Sequence, residues 1–182
     1  MRTLITLSTV FTVSLTAHAA VNITALEVSG DVVFTAAGTL DLSSLTFAGS
    51  GLAFNQINAS ASYLSMGSGF ADSYISVTGP SSFGTSEFTS STTFSGDGIV
   101  FTSTNLLVPA GYVSGTALSS TMTFEDATLE SLGLTPGSYT WSWGSDSATL
   151  TISAPAVPEP TTYALLGGLA ALGFAAWRRR RG

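Results

Sequence analysis

The sequence predicts an all-β protein: a single antiparallel β-sandwich-like domain, flanked by an N-terminal signal peptide and a C-terminal transmembrane helix. Three observations carry this expectation. Between Ala20 and Ser153, short runs alternate apolar and polar residues with a period of two and are separated by Gly, Ser, Asn or Pro. No segment of that stretch sustains a helical period. The long apolar runs sit instead at the two ends of the chain, where they have the layout of targeting and membrane segments.

Taken in order, Val21-Asn22-Ile23-Thr24-Ala25 alternates, and Asp31-Val32-Val33-Phe34-Thr35 follows it after Ser29-Gly30. Leu45-Thr46-Phe47 and Leu52-Ala53-Phe54 flank Gly49-Ser50-Gly51 and are expected to form a hairpin. Tyr74 to Thr78, Gly98 to Thr102 and Ala117 to Phe124 continue the series. Thr128 to Leu132 is expected to make a single helical turn ahead of a closing hairpin, Leu132 to Ala154. In that hairpin Pro136-Gly137 is a type II turn signal, because proline presets the first φ and glycine accepts the positive one. The next strand places Tyr139, Trp141 and Trp143 on one face, with Thr140 and Ser142 on the other. Gly144 to Ser147 then turns the chain into a strand whose Ala148, Leu150 and Ile152 share a face. No unit of fixed period recurs, which counts against a solenoid.

The 182 residues suffice for one domain of ordinary size between the two ends. Charge is scarce and one-sided. The five basic residues are Arg2, Arg178, Arg179, Arg180 and Arg181; there is no lysine, and the single histidine is His18. From Val21 to Trp177 no side chain is a cation, while all 11 acidic residues lie in that stretch. Nucleic-acid binding depends on Lys and Arg neutralising phosphates, so nucleic acid is excluded as a partner of the body, and anionic lipid surfaces with it. The absence of cysteine removes disulfides, cysteine metal sites and thiol nucleophiles together.

Residues 1–19 have one Arg, an apolar stretch from Leu4 to Leu15, and small residues at Ala17 and Ala19, which is the three-part layout of a secretory signal peptide. Signal peptidase acting after Ala19, with the secretion machinery as partner, would deliver a mature body, 20–153, without Lys, Arg, His or Cys. At the other end, 154–160 is a Pro-rich linker, 161–177 an uncharged run long enough for a helix of ~25 Å, and 178–182 a basic tail. That length is short of the ~30 Å hydrocarbon core, but arginines snorkel, and Tyr163 and Trp177 stand at interfacial positions. Arg178 to Arg181 favour the cytoplasmic side, which leaves the body in the periplasm.

The order Val157-Pro158-Glu159-Pro160, apolar Thr161 to Trp177, then Arg178, Arg179, Arg180 and Arg181 resembles the PEP-CTERM sorting signal of Gram-negative bacteria. The resemblance covers about the last 26 residues of the 182. It implies that exosortase, an integral-membrane cysteine enzyme often encoded with exopolysaccharide genes, recognises and removes the tail. The chain would then reach the cell surface or extracellular matrix, with exopolysaccharide as a further partner. The same tail is attached to bodies of very different kinds, ice-binding proteins among them.

The body's chemistry is narrow. General acid–base work would fall to carboxylates, and the densest patch is Glu125, Asp126 and Glu130. Neighbours on a strand point to opposite faces, so Glu125 and Asp126 would not face each other as a glycan hydrolase pair. No enzyme is expected. Asp97 in Ser95-Gly96-Asp97-Gly98 and Asp146 in Gly144-Ser145-Asp146-Ser147 are read as turn acids rather than calcium ligands, so no metal and no cofactor is expected. Tyr139, Trp141 and Trp143 would repeat at ~6.6–6.8 Å along a strand, a spacing on which sugar rings stack; the competing reading puts them in the core. Thr121 with Thr123 and Thr149 with Thr151 each present two hydroxyls on one strand face, as ice binders do. Asn22-Ile23-Thr24 and Asn58-Ala59-Ser60 match a glycosylation tripeptide. The function expected from the whole is a non-catalytic surface or exopolysaccharide-matrix protein; the alternatives are a carbohydrate-binding module, an ice binder and a carboxylate hydrolase.

Overall fold

Two β-sheets enclose one core in the computed structural model, which describes residues 20–154 together with 167–169, 172, 174 and 177–181. The chain runs β1 (Ala20–Val28), β2 (Asp31–Gly38), β3 (Thr46–Ala53), β4 (Gln56–Asn58), β5 (Tyr63–Met66), β6 (Gly69–Ile75), β7 (Thr89–Ser90), β8 (Thr93–Gly96), β9 (Ile99–Phe101), β10 (Asn105–Pro109), β11 (Leu118–Phe124), β12 (Gly137–Trp143) and β13 (Asp146–Ile152). A six-stranded sheet has the order β12-β13-β1-β2-β11-β8, and a seven-stranded sheet the order β3-β6-β10-β9-β5-β4-β7. The all-β expectation holds. Ala17, Ala19, the motif residues Val157, Pro158, Glu159 and Pro160, and most of the expected 161–177 span lie outside the described residues. No helix among the described residues is long and apolar enough to cross a membrane.

Period-two alternation builds the core. Val21, Ile23 and Ala25 of β1, Val32, Phe34 and Ala36 of β2, and Ala148, Leu150 and Ile152 of β13 all point inward and are buried. Leu64, Ile99, Phe101 and Leu106 meet them from the seven-stranded sheet. The Phe101 and Trp141 rings touch across the sheets with centroids 5.3 Å apart.

Three expectations are corrected. First, β1 pairs parallel with β13, Ile23 opposite Leu150, so the six-stranded sheet is not purely antiparallel. Second, 45–54 is not a hairpin: Thr46 to Ala53 is one edge strand along β6, and its glycines accommodate a register shift between Phe47 and Gly49. A glycine cluster serves a bulge as readily as a turn. Third, Pro136-Gly137 makes no type II turn, because Gly137 is absent from the positive-φ positions and already belongs to β12, opposite Ile152. The turn over 128–132 is present, with the Leu132 amide donating to the Thr128 carbonyl at 3.0 Å.

The seven-stranded sheet folds on itself. Only residues 54–55 separate β3 from β4, and only 67–68 separate β5 from β6, although each pair lies far apart in the strand order. The four strands are therefore one long bent hairpin, with β9 and β10 inserted where it forks. Ala53, Ser65, Ala71 and Val100 are buried beside this bend, outside the main core.

Candidate functional site

The aromatic strand turns inward. Trp141 is fully buried between Phe83 and Phe101, and Trp143 is buried with its indole Nε1 donating to the Asp41 carbonyl at 2.8 Å. Tyr139 is half-buried, edge-on to Phe83, and its hydroxyl donates to the Thr135 carbonyl at 2.9 Å. Tyr139 and Trp141 are thus packed on Phe83 and Phe101 and Trp143 is buried, so the Tyr139, Trp141 and Trp143 platform is not available on the surface.

Several of the acids are engaged with the backbone. Asp97 Oδ2 accepts from the Ser119 amide at 2.8 Å, tying β8 to β11. Asp146 is buried, not an exposed turn acid; its Oδ2 accepts from the Asp41 amide at 2.6 Å and its Oδ1 from the Ser147 amide at 2.7 Å. Glu125 and Asp126 lie past the end of β11, exposed, and do not join Glu130. Glu130 instead lines a groove of about 410 Å³ with Glu27, Leu129 and Pro136, where Glu27 Oε1 accepts from the Leu129 amide at 2.6 Å. Among the described residues no group of three or more His, Asp or Glu side chains is placed to hold a metal ion. Asn58 is buried, its Oδ1 accepting from the Ala61 amide and the Ser60 hydroxyl, whereas Asn22 is exposed on β1.

Asp41 shows what such capping does to a carboxyl. The Ser43 amide, then the Ser43 and Ser114 side chains, hold it below its ordinary 3.8 against a push upward from burial. A folded-state value below the unfolded one contributes stability in full above the unfolded pKa, and loses it as pH falls through the folded one. Asp41→Asn is therefore expected to lower the melting temperature at pH ~7 and to narrow the gap between the pH ~7 and pH ~3 values. An unchanged gap in thermal melts of the two proteins would refute this. Tyr112 is shifted the other way: burial pushes its phenol up, with its hydroxyl donating to the Thr116 carbonyl at 2.6 Å.

The outer face of the six-stranded sheet carries the feature that sets this surface apart. Register places Ser138 opposite Thr151, Thr151 opposite Thr24, Thr24 opposite Thr35, Thr35 opposite Thr121, and Thr121 opposite Ser95. One row of hydroxyls therefore crosses all six strands, and every member is exposed or half-exposed. Neighbours bond within it: Thr24 to Thr35 at 2.7 Å and Ser95 to Thr121 at 2.8 Å. No ionisable side chain stands in the row or beside it on β13, β1, β2 or β11. Of the four threonines singled out from sequence, Thr121 and Thr151 belong to this row, whereas Thr123 and Thr149 flank it on opposite sides. The other four members escaped sequence reasoning. Their signal, an outward hydroxyl at alternate positions of each strand, is present in the sequence, but the register that aligns them is not.

In the tail, Leu169, Leu172, Phe174 and Trp177 are helical and exposed. The Arg181 guanidinium lies 4.4 Å from the Trp177 ring centroid, a cation–π contact. Residues 156–181 match the family model for the PEP-CTERM protein-sorting motif. The chain carries a PEP-CTERM sorting motif. Val157 to Pro160 and Arg178 to Arg181 all fall inside it, and the whole β domain falls outside. No curated protein and no solved structure matches the chain. The PEP-CTERM motif thus speaks to protein sorting, and the chemistry of the body has to come from its own surface.

Proposed function

We propose that this PEP-CTERM protein is an exported, non-catalytic component of the cell surface or exopolysaccharide matrix. In this reading the signal peptide directs the chain out, 161–177 holds it in the inner membrane with Arg178 to Arg181 inside, and exosortase releases it near Val157-Pro158-Glu159-Pro160. The single observation that carries the reading is the sorting motif at 156–181, which follows the two-sheet β domain in the chain. A structural rather than catalytic role is supported by the composition of 20–154, which has no Lys, Arg, His or Cys, and by the engagement of Glu27, Asp97 and Asp146 with backbone amides.

The test is the intact mass of the mature protein from wild-type cells and from cells lacking exosortase. The expected wild-type product begins at Ala20 and ends near Pro158, while the mutant product keeps Arg178 to Arg181. Mass above that of the polypeptide would reveal glycosylation. A full tail in both strains would make it a plain anchor and refute the sorting step.

A further inference from the structure

We propose that the outer face of the six-stranded sheet binds a linear, uncharged polysaccharide, laid across the strands along Ser138, Thr151, Thr24, Thr35, Thr121 and Ser95. The inference deepens the surface-component reading and rests on it, but it draws on different atoms.

Each hydroxyl offers one donor and two acceptor sites, and a bond between two neighbours uses only one donor and one acceptor of the pair. The Thr24–Thr35 and Ser95–Thr121 pairs therefore still present both kinds of group outward. A ligand whose own hydroxyls both donate and accept is the chemical complement. Neighbouring strands lie ~4.7–4.9 Å apart, so the row repeats a hydroxyl contact at about the length of one sugar unit.

The surroundings select a chain over a lattice. On β1 and β2 the positions beside the row carry no hydroxyl, with Leu26 opposite Val33 on one side and Asn22 opposite Ala37 on the other, whereas Thr149 on β13 and Ser119 and Thr123 on β11 flank it, so the order is interrupted in the middle of the sheet everywhere but along the row itself. Leu26 is 40% exposed, an apolar shelf suited to the C–H face of a sugar ring. Sheet strands also rotate by roughly 20–25° from one to the next, so six of them do not present a plane to an ice crystal, whereas a flexible glycan follows the twist.

Charge narrows the partner further. Residues 20–154 carry no cationic side chain, and carboxylates stand at the margins of the sheet, Asp97 just beyond the end of β8 and Asp31 at the start of β2. Acidic polymers are repelled and have nothing to pair with. A neutral polymer meets neither obstacle.

The experiment uses mature protein purified from cells and a panel of insoluble or immobilised polysaccharides: cellulose, β-1,3-glucan and mannan as neutral linear chains, alginate and pectate as anionic ones. The wild type is expected to be retained on at least one neutral member and on neither anionic one. The variant Thr24→Val, Thr35→Val, Thr121→Val replaces three hydroxyls by methyls of the same shape in good strand formers, and is expected to lose retention roughly tenfold or more at an unchanged melting temperature. Thr46→Val, on an exposed position of β3 in the other sheet, should bind as the wild type does. Retention on no neutral polysaccharide, equal retention by the triple variant, or preference for alginate would overturn the proposal. So would inhibition of ice recrystallisation, lost in the triple variant, without glycan retention. None of these results depends on where the tail is cut, so the sorting reading stands or falls separately on the mass measurement.

Discussion

Trp141→Ala is expected to destabilise the β domain by about 3–5 kcal/mol, a large part of the ~5–15 kcal/mol that holds a typical domain together. The indole is fully buried where the two sheets meet, with Phe83 and Phe101 against its faces and edges. Gly79 backs it so closely that a side chain there would overlap the ring. Truncation thus removes both the transfer free energy of a large aromatic group and the contacts of neighbours that cannot close over the gap. Trp141→Phe sharpens the argument. The Trp141 Nε1 is buried with no hydrogen-bond partner, and such a group costs ~1–3 kcal/mol. Phenylalanine gives up volume but removes that donor, so its cost should be well under half that of alanine. Urea melts of the three proteins decide the matter. A phenylalanine variant as unstable as the alanine one would mean that the N–H has a partner, such as a water, and the packing account would need revision. Acrylamide should barely quench tryptophan emission from the mature wild type; easy quenching would contradict the burial of Trp141 and Trp143.

How much of this molecule was legible in the sequence depends on whether the signal is local. Alternation along Val21 to Ala25, Asp31 to Thr35 and Ala148 to Ile152 gave strands with the right face inward, because the period of two is a property of neighbours on the chain. The sorting motif is legible for the same reason: it is linear. Glycine was ambiguous. Gly49-Ser50-Gly51 fits a turn or a bulge, and only the pairing of β3 with β6 decides between them. The parallel seat of β1 beside β13 joins residues well over a hundred positions apart, which no local rule supplies. Asp146 looked like any turn acid until the fold brought the Asp41 amide to it. The hydroxyl row is the extreme case, since its six members come from six strands and become a site only through five registers that happen to agree.

Gly67→Ala is expected to cost about 3 kcal/mol or more and to lower the melting temperature by roughly 10 °C. Gly67 sits where β5 bends into β6, with φ at +68°, a conformation that costs an L-residue about 1–2 kcal/mol. Space makes matters worse: a Cβ there would overlap the Asp97 carbonyl oxygen. The 97–98 backbone would have to move, and it is anchored on its other side, since the Asp97 amide donates to the Ser119 carbonyl at 2.9 Å and the Asp97 carboxylate accepts from the Ser119 amide. Displacing it pulls on the pairing of β8 with β11, which positions Ser95 at the end of the hydroxyl row. Gly69→Ala separates the two costs. Gly69 has φ at +129° but open space where its Cβ would stand, so backbone strain acts alone and the loss should stay near 1–2 kcal/mol. If the two variants melt together, the contact with Asp97 contributes nothing and the bend tolerates a side chain. If Gly67→Ala is clearly the weaker and its amide exchange at Ser119 to Thr121 is accelerated, the fold of the seven-stranded sheet is what holds the outer edge of the hydroxyl row in register.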